Sequence, residues 1–385
     1  MRRTVFTEDH EAYRATIRDF IETEVVPVYP EWEQVGHPPR DFYLKLGELG
    51  VFGIEVPEEF GGAGEESFKF SAVTTEELAR AGVSFGGSGV HTALCLPYLM
   101  TYANDEQKKR WLPKFVTGEM MTAIAMTEPG TGSDLAGMKT TAKLSADGTH
   151  YVLNGAKTFI TGGVLADRVL VCCRTAPQTP EDRRGGLSIL VVDTKSEGYQ
   201  VGRKLEKLGL RTSDTAELSF TDVKVPVDDL LGEEGKAFSY LAFNLPQERL
   251  GIAVGAYAQA AAAIQFALAY VKERTVFGQP VAGFQNTKFV LADCQTEVEA
   301  AQAVVDRALE AHDAHELTAA DAAKAKLFCT DVASRVIDKC LQLHGGYGYM
   351  LEYPIARLYA DNRVNRIYGG TSEVMRTIIA KSLGL

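Results

Sequence analysis

The sequence predicts a mainly α-helical protein with a middle antiparallel β domain, in the order α, β, α, over three regions, 1–120, 121–232 and 233–385. Three observations carry this expectation. Residues 7 to about 118 alternate helical spacing with Pro and Gly breaks, residues from about 121 to 230 form short β-branched runs split by turn residues, and the chain after Gly235 is alanine-rich and helical again. At 385 residues and 45% hydrophobic content, the chain exceeds what one core usually holds, so two or three packed domains are expected.

The helical layer begins near residue 7, where Tyr13, Ile17, Phe20 and Ile21 already have amphipathic spacing. In NDEQKKRWLPKFVTG, Asn104 is placed to cap a helix. The strands are read from MTAIAMTE, KTTAKLSADGTHYVLNGAKTFITGG, DRVLVCCRT, GGLSILVVDT and AELSFTDVKVP, with Asp147-Gly148 as a hairpin turn. Long helices follow near 236–274, 284–312, 318–343 and 371–382, a bundle by composition and spacing.

Composition excludes several functions. A net charge of −11 with no basic block argues against nucleic-acid binding. Cysteines 95, 172, 173, 294, 329 and 340 show neither CxxC nor cystine-framework spacing, which suits reduced thiols in the cytoplasm and indicates no metal site. The first residues lack a signal-peptide core, and no run of about 18 apolar residues is found, so no membrane span is expected.

Five stretches could carry chemistry. MTEPGTGSDLAG (126–137) offers Gly130-x-Gly132 after a strand, but GMKTTAKL reads as another strand, so a dinucleotide fingerprint is refused. What remains is a polar loop able to hold a heterocycle edge and a phosphate, or a plain β-connection. QLHGGYGYMLEYP (342–354) ends a helix in glycines, with His344 read as a cap or core histidine. KERTVFGQPVAGFQ (272–285) puts Arg274 in a helix connection, where it is either solvated or a pyrophosphate grip.

In FNLPQERLGIAVGAYAQA (243–260), Glu248 has no cation three or four residues away. Gly251, Gly255, Ala258 and Ala262 follow it as a small-residue stripe, open to a ligand or to helix packing. Taken alone, Glu248 reads as a first-turn residue with Pro246 marking the helix start. Finally, RIYGGTSEVMR (366–376) sets Gly369 and Gly370 before a helix capped by Thr371 or Ser372, a glycine turn or a site for an anionic or carbonyl ligand.

Taken together, MTEPGTGSD, FITGG, ERTVFGQPV with FQ, QLHGGYGY and IYGGTSEVMR, in this order over nearly the whole chain, resemble the acyl-CoA dehydrogenase family. LPQERL with YGGTSEVM is similar to its long-chain branch. The resemblance implies that family's α, β, α architecture, non-covalent FAD, α,β-dehydrogenation of an acyl-CoA thioester to the trans-2-enoyl-CoA, and electrons passed to an electron-transfer flavoprotein. By similarity, Ile124, Met126, Thr127, Gly132 and Ser133, with Phe159, Ile160 and Thr161, hold the isoalloxazine and ribityl chain, and Thr371, Ser372 and Glu373 complete that site. Arg274, Phe277 and Gln285, with Gln342, Leu343, Gly345 and Gly346, resemble segments that reach the ADP half of a neighbouring subunit's FAD. That implies a homotetramer, a dimer of dimers.

Many family members carry glutamate where this chain has Gly369. In the long-chain and isovaleryl branches the base comes instead from the bundle helix, at the position of Glu248, so the resemblance makes Glu248 the base. Gly369 then supplies its N–H to the thioester carbonyl. Ser133, Arg249 and Gly370 fall on the substrate side, with Arg249 orienting the active-site loop. A glutamate placed at 369 is expected to face the same α-carbon. Phe159 stands where tryptophan is frequent, which leaves flavin shielding intact and bears on redox tuning. A base on the bundle helix suits long or branched acyl groups. Competing readings are an acyl-CoA oxidase, a flavin monooxygenase of the same fold, and an acyl-CoA-binding scaffold without catalysis.

Overall fold

A computed structural model describes residues 3–179 and 182–385, so the first two residues of the expected first region, and 180–181 of the second, lie outside the described residues. Six helices come first: α1 (Glu8–Phe20), α2 (Tyr29–Val35), α3 (Arg40–Glu48), α4 (Lys69–Ala81), α5 (Leu96–Tyr102) and α6 (Asp105–Val116). Asn104 caps α6 as its sequence suggests, accepting from the Gln107 N–H at 2.9 Å while the Gln107 side chain reaches back to the Asn104 N–H. A π-helical turn over Val90–Cys95 feeds α5.

The middle of the chain forms one eight-stranded sheet: β1 (Thr122–Ala125), β2 (Thr141–Leu144), β3 (His150–Thr161), β4 (Arg168–Arg174), β5 (Leu187–Asp193), β6 (Tyr199–Lys204), β7 (Thr215–Pro226) and β8 (Leu230–Leu231). The order is β6-β7-β3-β2-β4-β5-β8, with β1 also beside β4. The expectation of a wholly antiparallel region needs correction. Most pairs are antiparallel, but β1 runs parallel to β4, and β2 meets β4 in parallel at Thr141 and Arg174. The physical reason is the long crossover: the polar loop and the β2–β3 hairpin intervene between β1 and β4, so β1 can lie alongside β4 in the same direction.

Alternation along β4 and β5 explains why both read as unbroken apolar runs. Leu170, Cys172, Leu187, Ile189 and Val191 pack into the core of the N-terminal helices, while Val169, Val171, Cys173, Leu190 and Val192 pack with β3 and β7. A strand buried on both faces loses the polar half of its pattern.

The last third is helical: α7 (Ala237–Glu273), a small hairpin of β9 (Thr275–Val276) and β10 (Gln279–Pro280), then α8 (Gln285–Asp313), α9 (Ala319–Leu343), α10 (Pro354–Asn362) and α11 (Ser372–Ser382). Thr318 and Thr371 cap α9 and α11 through their side chains. Helix α7 starts nine residues before Pro246, which sits inside it, so Glu248 is not a first-turn residue. Tertiary packing overrides the local start signal of the proline. By length and mean hydropathy (1.5 in its most apolar window), α7 could cross a membrane, although the sequence shows no unbroken apolar run of that length; 56% of that window is buried within the protein, as in a core helix. Its Leu241 belongs to the core shared by the N-terminal helices and the sheet, whereas Leu250, Ala253 and Val254 belong to the bundle core. Glu248 therefore sits at the seam between two cores.

Candidate active site

Glu248 is 7% exposed, and its carboxylate accepts a hydrogen bond from the Tyr98 hydroxyl of α5 at 3.2 Å. Burial pushes its pKa up to about 7, against the Tyr98 hydrogen bond and the Arg249 charge, which favour the anion. The Tyr98 bond joins α5 of the N-terminal helices to α7 of the bundle at this carboxylate. No cation lies on its own helix face, as the sequence implies, but its environment is built by residues distant in the chain.

The next residue ties the base to the glycine loop. Arg249, itself buried, donates from Nε to the Gly369 carbonyl at 3.2 Å. Gly369 and Gly370 have φ of 63° and 98°, a left-handed region that glycine adopts without the strain a side chain brings. An added Cβ at Gly369 would lie 2.4 Å from Ile252 Cδ1, one turn beyond Glu248. A side chain at 369 would therefore require the end of Ile252 to turn aside.

At the start of α11, the Thr371 hydroxyl accepts from the Val374 N–H, and Ser372 Oγ is buried without a partner. Glu373 is different: its side chain is 79% exposed, sits 3.6 Å from Arg376, and has its pKa lowered first by a backbone hydrogen bond and then by Thr371. It is an ordinary solvated carboxylate.

The polar loop 126–137 is held from beneath. Buried Glu128 accepts from the N–H groups of Lys139 (2.7 Å) and Thr140 (2.8 Å) and from Lys157 Nζ (3.0 Å), and the same ammonium donates to the Met126 carbonyl at 3.0 Å. Ile124 is buried on β1, Met126 and Thr127 are half-buried, and Gly132 and Ser133 are exposed at the loop tip. The loop runs into a 3-10 turn at Leu135–Gly137 and then β2, so no helix follows the glycines.

Phe159 lies at a bulge where the β3–β7 register shifts between Lys157 and Ile160; its φ is 61° and its ring is 68% exposed. The bulge turns the ring outward while Ile160 remains buried and Thr161 half-buried.

A second cluster lies at the far end of the bundle. Arg274, Leu343, Gly345 and Gly346 line one cavity of about 480 Å³ with Tyr270 and Tyr347. The Arg274 guanidinium is 5.6 Å from the Tyr347 ring centroid and pairs with no carboxylate among the described residues. Gln342 adjoins the cavity without lining it, and neither Phe277, 95% exposed, nor Gln285 lines it. His344 is buried, bonded through Nδ1 to the Cys340 carbonyl at 2.8 Å and stacked on Tyr270, as a core histidine should be. Among the described residues, no cluster of His, Cys, Asp and Glu could hold a metal.

The small-residue stripe after Glu248 serves helix packing. A Cβ at Gly251 would meet Phe68 at 3.6 Å and one at Gly255 would meet Thr75 of α4 at 3.7 Å, so that side of α7 is filled by protein. Sequence reasoning missed Tyr98, Glu128, Lys157, Ile252 and Lys326. Only Lys326 carried a visible signal: Ala322, Ala323, Cys329 and Thr330, its neighbours three and four away, are the buried face of α9.

The geometry can be set beside known proteins. Three family models match consecutive parts of the chain: acyl-CoA dehydrogenase, N-terminal domain, over residues 7–119; middle domain, over 123–223; and C-terminal domain, over 235–384. The pig (Sus scrofa) mitochondrial long-chain specific acyl-CoA dehydrogenase is 41% identical over 381 residues, covering 99% of this chain and 88% of that protein. The crystal structure of an acyl-CoA dehydrogenase from Geobacillus kaustophilus is 48% identical with a TM-score of 0.95, covering 99% of both chains. An acyl-CoA dehydrogenase from Bacillus anthracis, solved in complex with FAD, is 33% identical with a TM-score of 0.90, covering 100% of this chain and 69% of that one.

Proposed function

The chain belongs to the acyl-CoA dehydrogenase family, FAD-dependent oxidoreductases acting on the CH–CH group of acyl-CoA, and from that premise we propose that Glu248 is its catalytic base and Gly369 its carbonyl donor. The observation that carries this reading is the convergence of a buried carboxylate, its pKa near 7, with a glycine loop held by the adjacent Arg249. A general base is most effective when its pKa lies near the working pH.

The residues present fit FAD. Among the described residues, the buried Ser372 hydroxyl at a helix start has no hydrogen-bond partner, the Phe159 ring is exposed, and Arg274, beside a cavity, has no ion-pair partner. Ile124, Met126, Thr127, Gly132, Ser133, Phe159, Ile160 and Thr161, with Thr371, Ser372 and Glu373, would hold the flavin. Arg274, Phe277, Gln285, Gln342, Leu343, Gly345 and Gly346 would hold the ADP half of a neighbouring subunit's cofactor, in a dimer of dimers. Supporting the second assignment, Arg274, Leu343, Gly345 and Gly346 line one cavity, and Arg274 forms no ion pair among the described residues. When bound, FAD supplies the acceptor for the substrate's β-hydrogen.

Within that frame each protein group has a task. Glu248 takes the α-proton, and the negative charge that builds on the thioester oxygen is met by the Gly369 N–H. Arg249 fixes the loop, while Ser133 and Gly370 border the substrate. Burial of Glu248 excludes the water that would compete for its carboxylate. Electrons leave to an electron-transfer flavoprotein, and the six unpaired thiols support a cytoplasmic setting.

Long acyl chains are the favoured substrates, supported by the likeness to the pig long-chain enzyme and by a base on α7 that leaves the loop side to glycine. Purified protein is tested anaerobically with acyl-CoAs of increasing length. The expected result is bleaching of a yellow protein, formation of the 2-enoyl-CoA, slow reoxidation in air, and kcat/KM higher for decanoyl-CoA and longer than for butyryl-CoA. A peak at butyryl-CoA removes the chain-length reading, and rapid reoxidation by oxygen makes the protein an oxidase.

A further inference from the structure

The loop that carries Gly369 is gripped by a second cation that the reading above leaves unused. Lys326 of α9 is 1% exposed, forms no ion pair among the described residues, and donates from Nζ to the Tyr368 carbonyl at 2.6 Å and to the Gly370 carbonyl. With Arg249 on the Gly369 carbonyl, three successive carbonyls accept from two buried cations. A buried ammonium is costly unless its hydrogens are satisfied, and these carbonyls are its described partners.

Peptide planarity gives this grip a consequence. The carbonyl of each residue and the N–H of the next point in opposite directions within one rigid plane. Holding the carbonyls of 368, 369 and 370 toward α9 and α7 turns the N–H groups of Gly369, Gly370 and Thr371 the other way. None of these three N–H groups has an acceptor among the described residues. Successive free N–H groups around left-handed residues make a concave site for a negatively charged oxygen. The positive φ of both glycines is what lets three neighbouring carbonyls gather on one side.

We propose that Lys326 is a positioning residue for the reaction: with Arg249 it draws the 368–370 carbonyls inward and so aims the Gly369, Gly370 and Thr371 N–H groups at the oxygen that gains charge. The proposal rests on the reading of Gly369 as the carbonyl donor. It adds two donors to that site and names what orients them.

The test uses FAD-loaded enzyme and a 3-ketoacyl-CoA, whose enolate is read by ultraviolet absorbance as pH is varied. Wild-type enzyme should lower the ligand's midpoint below its value in solution. In Lys326→Met the midpoint should rise by about one pH unit and flavin reduction should slow roughly tenfold or more, since full removal of such a donor costs roughly 10²- to 10³-fold. FAD content and ligand affinity should stay near wild type, and Lys326→Arg, which keeps the donors and the charge, should restore most of the midpoint shift. A wild-type midpoint and rate in Lys326→Met overturn the proposal while leaving Gly369 in place. Wild-type enzyme that leaves the ligand at its solution midpoint overturns the Gly369 reading and the proposal with it. Should Lys326→Met fail to fold, Lys326→Gln is read in the same way, and a wild-type midpoint there overturns the proposal.

Discussion

Replacing Glu248 by glutamine should stabilise the protein, and by an amount that depends on pH. Glu248 has an ordinary value of 4.5 and a folded value of about 7, raised chiefly by burial. A carboxyl whose folded pKa is raised favours the protonated state, so its contribution to stability is fully present below about 4.5 and is lost as pH climbs through about 7. A rise of about two and a half units corresponds to about 3 kcal/mol at 1.36 kcal/mol per unit, as an order of magnitude. Glutamine is neutral at every pH and can still accept from Tyr98, so the variant escapes this loss. The stability difference between Glu248→Gln and wild type should be small near about pH 4 and approach about 3 kcal/mol by about pH 8. Thermal or urea unfolding of both proteins in excess FAD, run across that range, measures it. A difference that is flat with pH, or that favours wild type at alkaline pH, would refute the claim that this carboxylate is held near 7 by burial.

Other perturbations follow from the same geometry. Arg274→Ala should weaken FAD retention roughly ten- to a hundredfold, the loss of one hydrogen bond to a charged group, as read by equilibrium dialysis; unchanged retention removes the pyrophosphate assignment. Glu248→Gln with Gly369→Glu should recover part of the flavin reduction, limited by Ile252 Cδ1, which a Cβ at 369 meets at 2.4 Å, and adding Ile252→Ala should recover more. Equal rates in the double and triple variants would show that Ile252 is not the obstacle. Glu128→Ala leaves the Lys157 ammonium buried without its carboxylate and should cost about 3 to 5 kcal/mol in unfolding experiments; a loss under about 1 kcal/mol would mean the loop is held by other contacts.

Much of the architecture is legible in the sequence because it is written in local periodicity. The expected helices near 236–274, 284–312, 318–343 and 371–382 correspond to α7, α8, α9 and α11 within a residue or two. Asp147-Gly148 makes its turn, with Gly148 at a φ of 72°. The unpaired character of Glu248 was also readable, since helical spacing alone says which neighbours it lacks. Other features depend on contacts between distant residues. Tyr98 reaches Glu248 across 150 positions and Lys326 reaches the glycine loop across more than 40, and nothing in LPYLMTY marks its first tyrosine as a partner of the base. Pro246 misled as a start signal because the packing of α7 between two cores outweighs one missing N–H. The parallel pairing of β1 is not legible in its own residues, because strand direction is set by where the crossover returns. Phe159 gave no sign of its left-handed backbone, which arises from the register shift against β7.

The identity of the base is tested most directly by single-turnover reduction of FAD-loaded enzyme with a long-chain acyl-CoA under anaerobic conditions, comparing wild type, Glu248→Gln and Glu373→Gln. With Glu248 as base, Glu248→Gln retains FAD and acyl-CoA but is reduced slower by at least the roughly 10²- to 10⁴-fold that general-base catalysis supplies, while Glu373→Gln, altered at an exposed carboxylate and compared at full FAD loading, is slowed far less. Near-normal reduction in Glu248→Gln together with its loss in Glu373→Gln would place the base at the start of α11 and contradict the assignment.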